Sequence, residues 1–384
     1  MKISDFCHTG SGGTPSRSKI EYYENGSIPW FKSGELNESY LFESEEKITE
    51  TALKESAANI VPKGSVLIAM YGATVGKTSI LGIDATTNQA ICHLVPDSKR
   101  CNNLFLQYFL RSQMNTLLSK RVGGAQPNIN QNIVKNLEID IPPLPEQIHI
   151  ANVLSSAEAL IAKRKESLAL LDAYLKSTFL EMFGDPVRNE KGWEVKKLGD
   201  VIEIQEGLVN PNEKPFSDMF HVGGANIESG TGHLKNLQYA KNENLISGKY
   251  LFSQDHLLYS KIRPYLNKVA TPRFVGICSA DIYPIKPKEK FISKQFLRFV
   301  LTSKNFLLHA ENNSDRANIP KINRKALIQY EFCIPPLELQ NQFAAVVEKV
   351  EALKEKYQES LGELEALYGS LSQRAFRGEL GGEG

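Results

Sequence analysis

Ile141-Pro142-Pro143-Leu144-Pro145-Glu146-Gln147 opens a stretch that then runs without Pro or Gly as far as Gly184. Stepping alternately by three and four residues picks out Ile150, Leu154, Ala157, Ile161, Arg164, Leu168, Leu171, Leu175, Thr178 and Met182, eight of them apolar. That spacing predicts one long helix carrying a coiled-coil seam. The prolines suit the start of a helix, and Gly184 suits a left-handed C-terminal stop. Some 38 helical residues would extend roughly 57 Å, far beyond an ordinary domain helix.

The stretch occurs twice. Ile334-Pro335-Pro336-Leu337 repeats Ile141 to Leu144 at an offset of 193, and Gln340 repeats Gln147, although Leu339 stands where the first copy has Glu146. The same offset carries the seam to Phe343, Val347, Val350, Lys354, Tyr357, Leu361, Leu364, Tyr368, Leu371 and Ala375. A long helix with one apolar stripe needs a complementary stripe, and the other copy supplies it. A direct repeat closing on itself about a two-fold axis would make the pair antiparallel.

Between the helices lie blocks that mix strand and helix. Val66 to Met70 and Ala90 to Val95 read as buried strands, Leu104 to Arg121 as an amphipathic helix, and Gly10 to Pro15 as a turn-rich opening. Leu137 to Ile141 reads as a last strand before the first long helix, and Gln329 to Ile334 as its counterpart before the second. The expected fold class is therefore α+β: two mixed α/β domains joined by two long helices in an antiparallel coiled coil. The expected boundaries are 1–140 and 186–333 for the domains, and 141–185 and 334–384 for the helices.

The net charge of +1 argues against a nucleic-acid binder until the chain is divided. Residues 1–140 hold 14 basic and 14 acidic side chains, whereas 186–333 hold 22 and 15. Ser98 to Leu137 has six Lys/Arg and no acid, and Leu257 to Arg298 has nine against two acids. Two basic runs in corresponding halves suggest a polyanionic partner, with a solvated charged surface as the plainer reading.

Five scattered cysteines and seven dispersed histidines offer neither a disulfide framework nor a zinc spacing, so no metal or cofactor is expected. No apolar run approaches a membrane span, and the expectation is a cytoplasmic protein without a membrane partner. Gly72-Ala73-Thr74-Val75-Gly76-Lys77-Thr78 resembles a phosphate-binding loop, yet three residues separate its glycines where that motif needs four. Its counterpart around Pro264 to Lys268 keeps the lysine and loses both glycines. With no methyltransferase or nuclease constellation either, the residues favour a non-catalytic binding protein.

Candidate DNA-binding residues follow from side-chain chemistry. Lys261, Arg263, Tyr265 and Lys268 put three cations and an aromatic on one loop, with Lys32 and Lys77 as further cations in the first half. Gln126 and Asn128, and Arg316 and Asn318, precede the last strand of each half, where such side chains can read base edges or simply make turns. Arg263 and Arg316 have the planar fork suited to guanine, and Lys261 and Lys268 are point charges suited to phosphate. Apolar or small residues off the seam, among them Ala151, Leu160, Leu170 and Leu353, predict further helices packing on the pair, with Leu160 and Leu353 as partner-binding positions.

The repeated I-P-P-L…Q helix, Gly12-Gly13-Thr14-Pro15, Ile28-Pro29-Trp30, the Gly72 to Lys77 segment and Ser260-Lys261-Ile262-Arg263-Pro264-Tyr265-Leu266 together resemble the specificity subunits of type I restriction-modification enzymes, over nearly the whole chain. The resemblance implies that each domain reads one half of a split double-stranded DNA target while the helices set the gap. It also implies two modification subunits that methylate adenine and restriction subunits that hydrolyse ATP and cut. A coiled-coil assembly scaffold, or an inactive cassette copy that reads no DNA, is the alternative reading.

Overall fold

The computed structural model describes residues 1–119, 128–185, 188–314 and 319–380. The chain forms two compact units, Met1–Glu166 with Gln358–Gly384, and Ser167–Tyr357. Each long helix contributes to both: Leu144–Phe183 has 40 residues and Leu337–Ala375 has 39. The first ends at Gly184, whose φ of +77° and N–H bond to Leu180 O (2.8 Å) give the left-handed stop.

The seam is as the spacing predicts: none of its twenty positions is exposed. In the first unit Tyr368 Oη donates to Glu158 (3.1 Å) and Lys165 pairs with Glu365 (2.8 Å). In the second, Lys354 meets Asp172 (2.8 Å), while Phe343 packs on Phe183 with ring centroids 5.3 Å apart. Within each unit one number rises as the other falls, so the two helices run antiparallel.

The first unit has a five-stranded sheet in the order Cys7–Ser11, Ile91–Pro96, Val66–Ala69, Thr78–Leu81, Tyr40–Leu41, and a three-stranded sheet of Glu46–Ile48, Ile28–Phe31 and Thr86–Thr87. Val66–Ala69 is central and wholly buried, as its unbroken aliphatic run requires. Gly10 lies inside a strand, not in a turn, because the His93 ring rests on it; a Cβ there would sit 2.3 Å from Nε2. In the second unit a four-stranded sheet follows the same plan: Ile202–Ile204, Ile282–Pro287, Leu257–Ser260, Val269–Ala270. A five-stranded sheet and a two-stranded ribbon of Glu331–Ile334 with Glu194–Lys197 complete it.

Two sequence expectations need correction. Over its described residues the helix expected at Leu104 to Arg121 is two, Asn103–Ser112 and Met114–Ser119, broken where Gln113 leaves helical geometry (ψ +6°), and residues 120–121 lie outside the described residues. No strand forms at Leu137 to Ile141; Glu138 makes one isolated bridge to Lys2, because a tight turn at Ile3–Asp5 takes the partner away at once.

A buried glutamine ties each long helix to its domain. Gln147 accepts from the Asn102 N–H (2.8 Å) and donates to Arg100 O (2.8 Å) and Pro142 O (2.9 Å). Gln340 accepts from the Ser293 N–H (2.8 Å) and donates to Phe291 O (3.0 Å) and Pro335 O (2.8 Å). Asn102 and Ser293 are themselves the N-caps of equivalent domain helices.

Candidate nucleic-acid interface

The hairpin loop after the central strand is built alike in both units. In the first, Gly72 (φ +71°) begins a single helical turn, Gly76 (φ +84°) ends it, and Lys77 returns the chain to the next strand. In the second, the same places fall to Arg263 (φ +48°), Asn267 (φ +48°) and Lys268. The backbone bonds match: Val75 N–H to Gly72 O (3.2 Å) and Ala69 N–H to Lys77 O (2.9 Å), against Leu266 to Arg263 (2.9 Å) and Ser260 to Lys268 (3.1 Å). Both glycines are lost from the second half while the left-handed backbone that needed them is kept. The loop runs from strand to strand, without the strand-to-helix turn that a nucleotide phosphate loop uses.

Two further segments are clamped beside each loop. Met70 N–H donates to Ala90 O (2.7 Å) and Met70 O accepts from Ile129 (3.0 Å). Lys261 repeats this with Asp281 (3.0 Å) and Ile322 (3.0 Å). Asn88 N–H donates to Phe31 O (2.9 Å), and Ser279 N–H to Val222 O (3.0 Å), at equivalent positions. Each unit thus presents one cluster of loops at the same end of its central strand.

The cations differ in how they are held. Lys261 Nζ donates to Ala280 O (2.7 Å) and stands 5.3 Å from the Tyr283 ring centroid. Lys268 Nζ donates to Gly224 O (2.6 Å), and Lys77 Nζ to Asn37 Oδ1 (2.7 Å). Lys32 lies beside Phe31 at this same end, but its charge is met by Glu45 (2.9 Å) and Glu46 (3.0 Å), whose hydrogen bonds raise its pKa. The Arg17 hydrogen bond, with help from Lys32, holds the Glu46 carboxyl down at about 2. Arg263 and Tyr265 are exposed, and among the described residues neither side chain has a hydrogen-bond or ion-pair partner. Asn128 joins the first cluster with its Oδ1 buried and unpaired. Gln126, Arg316 and Asn318 lie outside the described residues.

On the long helices Leu160 is 53% and Leu353 37% exposed. They occupy equivalent positions, as do Tyr174 and Leu367, at 54% and 51%. Leu170 is exposed too, whereas Ala151 is buried in the first domain core and is no part of an outer surface.

A family model described as the type I restriction modification DNA specificity domain matches residues 1–170 and 190–365. The chain belongs to this family. Over 256 residues it is 33% identical to the type I restriction enzyme MjaIX specificity subunit of Methanocaldococcus jannaschii, covering 59% of this chain and 59% of that one. Over 316 residues it is 29% identical to the EcoDI specificity subunit of Escherichia coli, covering 72% and 70%. The fold is shared with the crystal structure of a type I restriction-modification S subunit from M. genitalium (TM-score 0.59, 14% identity, 98% and 95% covered). It is shared also with a chain from a structural study of complex assembly and conformational transition of the type I restriction-modification system (TM-score 0.54, 18% identity, 99% and 97% covered).

The family model matches this chain in two segments, and the equivalent loop of each carries different side chains. Reading the sequence missed Asn88, whose Oδ1 is buried without a partner at the edge of the first cluster. Its available signal was the Thr87-Asn88-Gln89 turn immediately before a strand.

Proposed function

We propose that this chain is the DNA-recognition subunit of a type I restriction-modification assembly and that each unit contacts one half of a bipartite duplex target. The observation that carries the reading is the pair of equivalent loop clusters, clamped by the same backbone bonds and given different side chains. A common frame suits a task performed twice; different side chains suit two different sequences. Residues 1–140 and 186–333 act as the target-recognition domains, and 141–185 and 334–384 as the helices that set the interval between half-sites.

Within the clusters, Lys77 and Lys268 occupy the same place in both loops and are assigned to phosphate. Lys261 and Lys32 add positive charge, the former reduced by Asp281 (3.7 Å) and the latter by its two glutamates. Asn128 and Gln126 in the first domain, and Tyr265, Arg316 and Asn318 in the second, are assigned to the DNA-facing segments. A duplex is bound by charge over its length and read at few points, which fits two small clusters better than one deep pocket.

The chain contributes recognition and no catalysis on this reading. Modification subunits would dock on the long helices at the equivalent exposed pairs Leu160 with Leu367 and Leu353 with Tyr174, one subunit to each, and restriction subunits would join the complex thus formed. Two equivalent surfaces on one chain suit two copies of one partner. The test is selection from a pool of random-sequence duplexes by the chain with its modification subunits. One sequence of two short fixed blocks should be enriched; recovery of the pool unchanged would refute DNA reading.

A further inference from the structure

The Ile28–Phe31 strand ends beside the first loop cluster, where Phe31 O accepts the Asn88 N–H (2.9 Å), and Glu46 lies opposite Trp30 in its antiparallel pairing. Gly13 reaches the same place: its O accepts from Trp30 Nε1 (3.0 Å) and its N–H donates to Thr87 O (2.9 Å). Arg17, a turn further on, grips the Glu46 carboxylate with both arms of its fork (2.5 and 3.1 Å). Its guanidinium carbon lies 4.4 Å from the Tyr23 ring centroid and 5.0 Å from that of Trp30. Lys32 Nζ donates to the same carboxylate (3.0 Å) and to Glu45 (2.9 Å). One acid thus cancels two cations at the end of the domain assigned to DNA.

The second unit builds this corner on the same pairing and without the acid. Phe220–Val222 runs antiparallel to Gln238–Tyr239 and parallel to Gly276–Cys278, and Val222 O accepts the Ser279 N–H. His221 therefore corresponds to Trp30, Gly223 to Lys32, and Gln238, exposed and neutral, to Glu46. The cations of the second cluster rest on backbone carbonyls, Lys268 on Gly224 O and Lys261 on Ala280 O, with Asp281 3.7 Å from the latter. Charge follows the same division, balanced at 14 and 14 in residues 1–140 but 22 against 15 in 186–333.

Arg17 is 52% and Lys32 31% exposed at the side chain, so a duplex backbone can reach both. A phosphate would have to displace a carboxylate already in place, and a cation neutralised in that way releases no counterion on meeting DNA. Resting on the reading that the chain recognises DNA, we infer that Glu46 is a specificity-determining residue of the first domain. It cancels Arg17 and Lys32 toward phosphate, so that capture of any duplex by its backbone falls to the second domain and the first half-site is held by its bases. A duplex of random sequence can slide to the register that offers most phosphate contacts, whereas a selected one is fixed by its bases. Masking these cations therefore costs the random duplex more, and specificity is that difference.

The experiment places the second domain's residue in the first. The full chain, Glu46→Gln, and Glu46→Gln with Arg17→Met are each assembled with the modification subunits. Binding is measured over a salt series to a random-sequence duplex and to the duplex that the unaltered complex selects. Glu46→Gln should bind the random duplex roughly threefold to tenfold tighter at low salt, with a log–log salt slope steeper by about one to two. Its gain on the selected duplex should be smaller, and the double variant should return the slope toward that of the unaltered complex. An unchanged affinity and slope on the random duplex would overturn the inference, whether or not the melting temperature falls, because the pair would then serve the fold alone. Lost discrimination at one C·G pair would overturn it too, by making Glu46 a reader of the base. Failure of the unaltered complex to select any duplex would instead refute DNA reading itself, a result seen before any variant is compared.

Discussion

Lys354 Nζ lies 2.8 Å from Asp172 Oδ1, in the seam of the second unit, with the lysine side chain 8% and the aspartate 53% exposed. A single buried cation in an otherwise apolar stripe costs stability and fixes which residues face each other. Glu351, 3.6 Å away, adds a second carboxylate on the lysine's own helix. The pair therefore specifies register where the apolar residues alone would tolerate sliding.

Lys354→Leu should leave thermal stability unchanged or slightly raised, within about 1 kcal/mol, because Asp172 is already half in water. It should also permit the helices to pair between chains. Light scattering should then report a larger dimer fraction for the variant than for the unaltered chain; an equal fraction would deny the pair a role in register.

Gln147→Leu and Gln340→Leu should each cost about 3 kcal/mol, since each strands a buried N-cap N–H and two carbonyls. Urea denaturation checks this. Equal losses from the two variants would support equivalent joints, and a loss below about 1 kcal/mol in either would contradict the three-bond account.

Acid should weaken the first unit through His93. Burial, with some help from the nearby His8, pushes this imidazole down to about 4 from 6.5. The unfolded chain binds its proton first, so the neutral ring's contribution is complete above about pH 6.5 and is lost as pH falls toward about 4, by up to about 3 kcal/mol. Denaturation midpoints for the unaltered chain and His93→Gln, compared at pH 7 and pH 5, should converge toward the lower pH. Parallel lines would exclude His93 as the source.

Leu160→Asp with Leu353→Asp should abolish co-purification of modification subunits while leaving the chain's own melting temperature within a few degrees, because both side chains are already exposed. A retained complex would remove these positions from the docking surface.

The long helices were legible because the apolar step of three and four residues persists for ten positions in each copy, and every one of them proves covered. The central strand was legible from its aliphatic run, Val66 to Ala69. What escaped depends on contacts distant in sequence. Gly10 signalled a turn, but it pairs with His93 in an antiparallel ladder, and the His93 ring leaves no room for a Cβ. Leu137 to Ile141 has strand composition but a partner that turns away after Lys2. The shared loop conformation was hidden for a different reason: arginine at 263 gives no sign of a positive φ, so the equivalence to Gly72 appears only in the backbone. Asn88 was marked only by its place in a turn before a strand, and the unpaired Oδ1 that singles it out depends on contacts that no spacing encodes.

On the proposed function, one chain reads two half-sites held at an interval by its helices. Inserting a heptad after both Leu168 and Leu361 keeps the seam and lengthens each helix by about 10 Å, roughly three base pairs of duplex. The direct measurement is to sequence the sites methylated by the assembled complex carrying this insertion, beside those of the unaltered one. The same two blocks of bases should appear in both, with the gap longer by about three base pairs in the variant. An unchanged gap, or blocks of different sequence, would contradict the account.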